Sequence, residues 1–208
     1  LNADDPYAAR FAAATRGRIA WFGKEGIRMG EEEWRVCDFR EGAHGISFGL
    51  APNRSHRKEV LCTSRLRGEF NAANILAAAA VGISRHIAPE KIAMGIRRVE
   101  GVAGRMEWVA HEPFAVVVDY AHTPDSLEAV YRALKGPRGA LICVLGSAGG
   151  GRDTWKRPEF GRIAAEHCSK IILTNEDPYD EDPGAIVAAI RAGVPERKEQ
   201  SVQEILDR

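Results

Sequence analysis

The 208 residues are 45% apolar, and 29 basic side chains balance 29 acidic ones. That apolar content fills one good core or two small ones, while a formal charge of zero removes the electrostatic case for nucleic acid or a membrane surface as the main partner. No apolar stretch approaches the ~20 residues of a membrane span, and the first residues lack the basic start and apolar run of a signal peptide, so the cytoplasm is the expected compartment.

In chain order, the sequence opens at Leu1-Asn2-Ala3-Asp4-Asp5-Pro6 without an initiating Met, which suggests a chain cut from something longer, beginning at the end of a strand. Short β-like stretches follow at Arg18–Phe22, Glu33–Phe39, Gly45–Leu50 and Glu59–Thr63, separated by Gly and charge, and predict a small antiparallel region. A first helix starts near Asn71, a capping residue, and places Ile75, Leu76, Ala79 and Ile83 on one face of an Ala-rich segment. A second starts at Pro89, a favoured first helical position, and carries Ile92, Ile96 and Val99 inward. Gly101-Val102-Ala103-Gly104 has the composition of a hinge.

Beyond it the pattern becomes βαβαβα, for which a mostly parallel sheet is expected. Strands are read at Phe114–Val118, Leu141–Leu145 and Lys170–Leu173. The intervening helices open at Thr123-Pro124, at Pro158 and at Asp182-Pro183; the first of them ends at Gly136-Pro137. Their buried stripes are Leu127, Val130, Tyr131 and Leu134, then Phe160, Ile163 and Ala164, then Ile186, Val187 and Ile190. Cys37, Cys62, Cys143 and Cys168 have no paired spacing, which argues against zinc and for four buried thiols.

Two of the strands empty into chemically loaded turns, Asp119-Tyr120-Ala121-His122-Thr123-Pro124 and Gly146-Ser147-Ala148-Gly149-Gly150-Gly151-Arg152-Asp153. In an open parallel sheet ligands gather outside the carboxyl ends of the strands, so both turns are expected to face one site. Taken singly, each residue has an ordinary alternative. Asp119 suits a ribose diol or a helix cap, and His122 a phosphate or a contact within its own turn. The glycine run frees N–H groups for an anion, but lacks the Lys-Ser/Thr of a P-loop and the G-x-G-x-x-G fingerprint. Arg152, Lys156 and Arg157 either grip a carboxylate or phosphate, or form a solvated basic surface. Asn175-Glu176-Asp177-Pro178-Tyr179 has the composition of any loop.

The ordered strings are more telling. Gly104-Arg105-Met106-Glu107, Asp119-Tyr120-Ala121-His122-Thr123-Pro124-Asp125-Ser126-Leu127-Glu128 and Gly149-Gly150-Gly151-Arg152-Asp153 with Lys156-Arg157-Pro158 resemble the Mur ligases. Within that family they are most similar to the branch that adds the third residue of the peptidoglycan stem peptide. Asn2-Ala3-Asp4-Asp5-Pro6-Tyr7 and Gly68-Glu69-Phe70-Asn71-Ala72-Ala73-Asn74 resemble late motifs of the family's central domain.

The resemblance implies an α/β protein in two parts: residues 1–103 as the later portion of a central ATP-binding domain with a small antiparallel region, and 104–208 as a truncated Rossmann-like C-terminal domain with flanking helices. It implies an ATP- and Mg2+-dependent amide-bond ligase of cell-wall synthesis acting on UDP-muramyl dipeptide and a free amino acid through an acyl phosphate, and a monomer. Asn2, Asp5, Asn71, Arg105, Asp119, Tyr120 and His122 would serve ATP. Arg152, Glu176, Asp177 and Tyr179 would serve the amino acid, and Arg105, Asp119 and Arg152 would share a ligand wall, with Gly101–Gly104 as a pivot. The P-loop, the carbamylated lysine, the Mg2+ ligands and the UDP-sugar domain are expected upstream of Leu1, and a Gly-His-Glu segment after Arg208, so no turnover is expected of these residues alone. Diaminopimelate-adding members carry Asp-Asn-Pro-Arg where this chain has Glu176-Asp177-Pro178-Tyr179, which leaves the amino acid open between diaminopimelate, lysine and another. The alternatives are a folylpolyglutamate or cyanophycin synthetase type of ligase, and a non-catalytic nucleotide-binding or structural module.

Overall fold

The computed structural model describes residues 1–42, 44–53, 58–136, 139–151 and 153–207. They form two compact units, Leu1–Asp119 and Tyr120–Arg208.

Unit 1 is built on an antiparallel sheet in sequential order: β1 (Ala20–Gly23), β2 (Gly26–Met29), β3 (Glu32–Gly42), β4 (Gly45–Pro52) and β5 (Val60–Ser64). Helix α1 (Ala8–Ala14) precedes it, and α2 (Glu69–Ser84) and α3 (Pro89–Arg98) follow it. Phe48 and Leu50 of β4 are sealed against Ile75, Leu76 and Ala79 of α2 and Ile92 and Ile96 of α3 in one core. The alanines explain how closely α2 approaches the sheet: Ala72, Ala79 and Ala80 are buried and leave no bulky side chain to hold it off. Gly82 does the same toward α3, because a Cβ there would stand 2.8 Å from Ile92 Cδ1.

Several local expectations are corrected here. The sequence pattern predicts neither α1 nor β2; four-residue β2 is too short to show a period. Asn71 does not cap α2: Gly68, with φ 91°, takes the N-cap position, and Asn71 lies buried in the first turn with its Nδ2 donating to the Arg67 carbonyl at 2.7 Å. Pro89 opens α3 as its pattern predicts, yet Val99 falls at the C-cap and is exposed. Cys37 is half-buried, unlike the other three cysteines. Burial pushes the Cys62 thiol up to about 11.

A two-stranded antiparallel ribbon of β6 (Glu107–Ala110) and β7 (Val116–Val118) completes unit 1. The sequence pattern predicts Phe114–Val118 as a strand of the parallel sheet. Phe114 is instead exposed, and the strand begins at Val116 and takes its partner from Glu107–Ala110.

Unit 2 holds α4 (Pro124–Leu134), β8 (Ile142–Leu145), α5 (Lys156–His167), β9 (Lys170–Thr174), α6 (Pro183–Arg191), a 3-10 turn (Glu196–Ser201) and β10 (Val202–Ile205). The strands run parallel in the order β10-β9-β8, so the third parallel strand is the unanticipated β10. Its core includes Leu127, Val130, Phe160, Ile163, Ile171, Leu173, Ile186, Val187 and Ile190. Thr123 and Ser126 form a reciprocal capping box at α4, and Asp182 accepts from the Gly184 and Ala185 amides at α6, as the sequence predicts. Helix α5 opens at Lys156, two residues before Pro158; a proline in the first helical turn forfeits no intrahelical donor. Helix α4 ends at Leu134 with Lys135 as C-cap, and Pro137, read as its terminator, lies outside the described residues. Helices α5 and α6 meet backbone to backbone at Gly161, where a Cβ would stand 2.0 Å from the Ile190 carbonyl oxygen. Cys143 and Cys168, far apart in sequence, are buried beside Tyr131, whose phenol is pushed up chiefly by burial. Among the described residues no helix is long and apolar enough to cross a membrane.

Candidate functional site

In unit 1 the segment leaving β5 and the segment joining α3 to β6 enclose a cleft of about 400 Å³. Arg65, Arg67, Asn71, Arg105, Trp108 and His111 line it. The Arg67 guanidinium lies 4.9 Å from the centre of the Trp108 ring, and Trp108 stacks on His111 at 5.5 Å with 7° between the planes. Buried Asn71 is oriented by its bond to the Arg67 carbonyl and by Asn74, whose Nδ2 donates to Asn71 Oδ1 at 3.2 Å. Arg65 is paired with Glu100 at 2.7 Å.

The turn that carries Arg105 is fixed from both sides. Glu107 Oε2 accepts the Gly104 amide at 2.7 Å, and Asp119 Oδ2 accepts the Met106 amide at 2.7 Å. These bonds hold two left-handed residues, Gly104 at φ 66° and Met106 at φ 47°; the second conformation is uncommon for a residue with a long side chain. Asp119 is therefore not a helix cap: Thr123 has that task, and Asp119 sets where Arg105 leaves the backbone. Guanidinium groups, an indole face and a buried amide make a surface for a ligand that is both anionic and aromatic, as a nucleotide is. Arg67, Trp108 and His111 were not singled out from the sequence; cationic and aromatic residues interleaved at Arg65-Leu66-Arg67 and Trp108–His111 were the available signal.

Asn2 and Asp5 are drawn into the opening turns instead. Asn2 Oδ1 accepts from the Asp4 amide at 3.1 Å, and Asp5 Oδ1 from the Tyr7 amide at 2.7 Å, the short side-chain loops that Asx residues favour.

In unit 2 the residues after β8 and β9 come to lie side by side, because the strands are parallel neighbours and their carboxyl ends share an edge. The Gly149 amide donates to the Asp177 carbonyl at 2.9 Å, and a Cβ on Gly149 would stand 2.0 Å from the Pro178 carbonyl oxygen. Gly150 and Gly151 then turn through φ 86° and 70°, and Gly150 lies beneath the exposed Tyr179 ring. Glu176, Asp177 and Tyr179 are thus brought against the glycine loop. Arg152 lies outside the described residues.

The sequence offers Arg157 to a ligand or to solvent, and the structure corrects this. It is 5% exposed and forks onto Glu181, Nη1 to Oε2 at 2.8 Å and Nη2 to Oε1 at 3.0 Å, while Glu181 Oε1 also accepts the Gly151 amide at 2.7 Å. The Arg157 guanidinium and the Gly151 amide hold the Glu181 carboxyl down at about 2, against an ordinary 4.5. A depressed carboxyl contributes stability that is complete above its unfolded value and disappears as the pH falls from 4.5 through 2. Urea titrations at descending pH are expected to show this loss, and Glu181→Gln to remove part of it; an identical pH dependence in the variant would disprove the assignment.

His122 Nδ1 lies 3.0 Å from the Tyr120 carbonyl, which can only accept, so the proton sits on Nδ1 and a neutral ring leaves Nε2 as acceptor. Its ring tilts against Tyr120 at 5.1 Å. Among the described residues no group of three or more His, Cys, Asp or Glu converges as a metal site.

Residues 104–208 match the family model described as Mur ligase, glutamate ligase domain. The chain belongs to the Mur ligase family.

Among Mur ligases, it is 38% identical over 198 residues to the UDP-N-acetylmuramoyl-L-alanyl-D-glutamate--2,6-diaminopimelate ligase of Aquifex aeolicus, covering 95% of this chain and 39% of that protein. To the ligase of the same name from Gloeobacter violaceus it is 40% identical, covering 94% and 39%. The chain thus spans about two fifths of the length of these curated relatives. A solved diaminopimelate ligase of that name superposes with a TM-score of 0.53 at 28% identity, covering 100% of this chain and 42% of the other. MurF from Acinetobacter baumannii superposes at 0.69 with 18% identity, covering 99% and 41%, a likeness of fold alone.

Proposed function

We propose that the chain is part of an ATP-dependent Mur ligase that adds the third amino acid to UDP-N-acetylmuramoyl-L-Ala-D-Glu in the cytoplasm. What carries the reading is identity of 38–40% over more than nine tenths of the chain to relatives that share one name. Residues 1–103 are assigned to the central domain and 104–208 to the C-terminal domain.

In this reaction ATP phosphorylates the terminal carboxylate of the muramyl dipeptide, and the amino group of the incoming residue attacks the acyl phosphate and expels phosphate. Asn71 and Arg105 are assigned to the nucleotide with Arg67 and Trp108 of the same cleft, and Asp119 with them through the Arg105 turn that it holds; Tyr120 and His122 are assigned to the nucleotide by motif alone. Asn2 and Asp5 are placed near adenine by motif alone. Arg152, Glu176, Asp177 and Tyr179 are assigned to the amino acid, whose carboxylate Arg152 would grip while Glu176 and Asp177 attract its ammonium group. The described residues offer no metal cluster, so no step is assigned to Mg2+ through them.

The relatives' name makes diaminopimelate the first substrate to test. Tyr179 is uncharged and exposed where diaminopimelate-adding ligases carry Arg, which makes lysine the second. The test is amide formation by the full-length protein, followed as ADP release with ATP, Mg2+, UDP-muramyl dipeptide and each amino acid in turn. Product with either supports the ligase, and no product with any amino acid rejects it. Arg105→Ala is expected to weaken ATP binding on the order of tenfold or more, the value of a charge-assisted hydrogen bond; calorimetry that finds the same affinity in the variant removes Arg105 from the site.

A further inference from the structure

Resting on the ligase reading above, we infer that Glu181 is a positioning residue for the incoming amino acid, acting through Arg157 and the Gly151 amide on the two loops that hold this substrate. Four bonds meet at this point. Both Glu181 oxygens face the Arg157 guanidinium, Oε1 is shared with the Gly151 amide at 2.7 Å, and Arg157 Nη2 reaches the Ala148 carbonyl at 3.4 Å. The Glu181 amide in turn closes its own loop onto the Pro178 carbonyl at 3.0 Å.

One carboxylate thereby ties the glycine loop to the turn bearing Glu176, Asp177 and Tyr179. It adds a charged tie to the one the Gly149 amide makes with the Asp177 carbonyl, and it restrains residues that need restraint, because Gly150 and Gly151 are conformationally permissive and Tyr179 stands at φ 50°. Arg157 is buried and committed to Glu181, so it orients the site without being offered to a ligand. The carboxylate also neutralises Arg157, which leaves the local field on a substrate carboxylate to other cations. All of these bonds lie within unit 2 and none involves a residue assigned to the nucleotide, so loosening them is expected to act on the amino acid and not on ATP.

The experiment is steady-state kinetics of the full-length protein carrying Glu181→Gln, which keeps an oxygen for Gly151 and loses the charged fork, with Glu181→Asp as a second variant that keeps the charge on a shorter stem. KM for the amino acid is expected to rise on the order of tenfold to a hundredfold in Glu181→Gln, the range for a lost charged hydrogen bond, with KM for ATP unchanged and partial recovery in Glu181→Asp. An unchanged amino-acid KM in folded Glu181→Gln overturns the assignment, and so does a KM in Glu181→Asp no better than in Glu181→Gln. So does a parallel loss in both KM values and kcat, which is the signature of a scaffold residue. If Glu181→Gln does not fold, Glu181→Asp decides by whether its shorter stem raises KM for the amino acid alone, which supports the assignment, or raises both KM values together, which overturns it. A wild-type protein that forms no amide with any amino acid rejects the ligase reading itself, and this assignment falls with it; a normal wild type beside an unaffected variant rejects only the role of Glu181.

Discussion

Phe48→Ala is expected to cost unit 1 about 3–5 kcal/mol. Phe48 is 1% exposed at the centre of β4, between Ile46 and Leu50, which are equally sealed. Its ring packs in the same core as Leu76 and Ile75 of α2 and Ile92 of α3. Truncation removes the transfer free energy of the ring and leaves a void that the surroundings cannot close. The sheet pins β4 on both sides, against β3 and β5, and α2 already lies close to the sheet on its alanines. A urea titration followed by tryptophan fluorescence checks this, since Trp34 packs against the same core. A loss below about 1 kcal/mol would mean that the helices collapse into the space, and that the rigidity attributed to this layer is wrong.

Gly149→Ala is the second, and here the expected loss is of function as much as of stability. The new methyl would stand 2.0 Å from the Pro178 carbonyl oxygen and 2.7 Å from its carbon, so it meets backbone and not the flexible end of a side chain. Either the glycine loop or the turn after β9 must retreat, breaking the 2.9 Å bond from the Gly149 amide to the Asp177 carbonyl. Overpacking of this kind costs about 1–3 kcal/mol. Because the displaced turn carries Glu176, Asp177 and Tyr179, use of the amino acid is expected to fall on the order of a hundredfold, as displacements near 1 Å do in enzyme sites. The checks are thermal unfolding and KM for the amino acid. A variant that unfolds early yet retains wild-type KM would separate this loop from substrate binding.

The features legible in the sequence are those decided within a few residues. Thr123-Pro124 and Asp182-Pro183 announce their helices because a cap is a bond between a side chain and amides two or three positions away. The stripes Phe160–Ile163–Ala164 and Ile186–Val187–Ile190 announce their buried faces by helical spacing. Family motifs point to Asn71, Arg105, Asp119 and the turn at Glu176–Tyr179 for the same reason, since each motif is a short contiguous string. Short strands are a different matter. β2, β6 and β10 are four residues each, and whether such a segment is a strand depends on a partner elsewhere: β10 exists because Val202–Ile205 can pair with Ile171–Thr174.

The sequence by itself therefore determined the order of α2 to α6 and of most strands, most of the faces those helices bury and the family to which the chain belongs, all matters of local spacing and contiguous motif. Tertiary structure alone decided that Arg157 is spent on Glu181 across 24 residues, that Arg67, Trp108 and His111 form one stack, and that Asp119 holds the Arg105 turn in place. The physical reason is that a charge or a ring has no fixed role until a partner arrives. The same guanidinium is a ligand grip in solvent and a structural fork beside a buried carboxylate, and only the folded chain chooses between them.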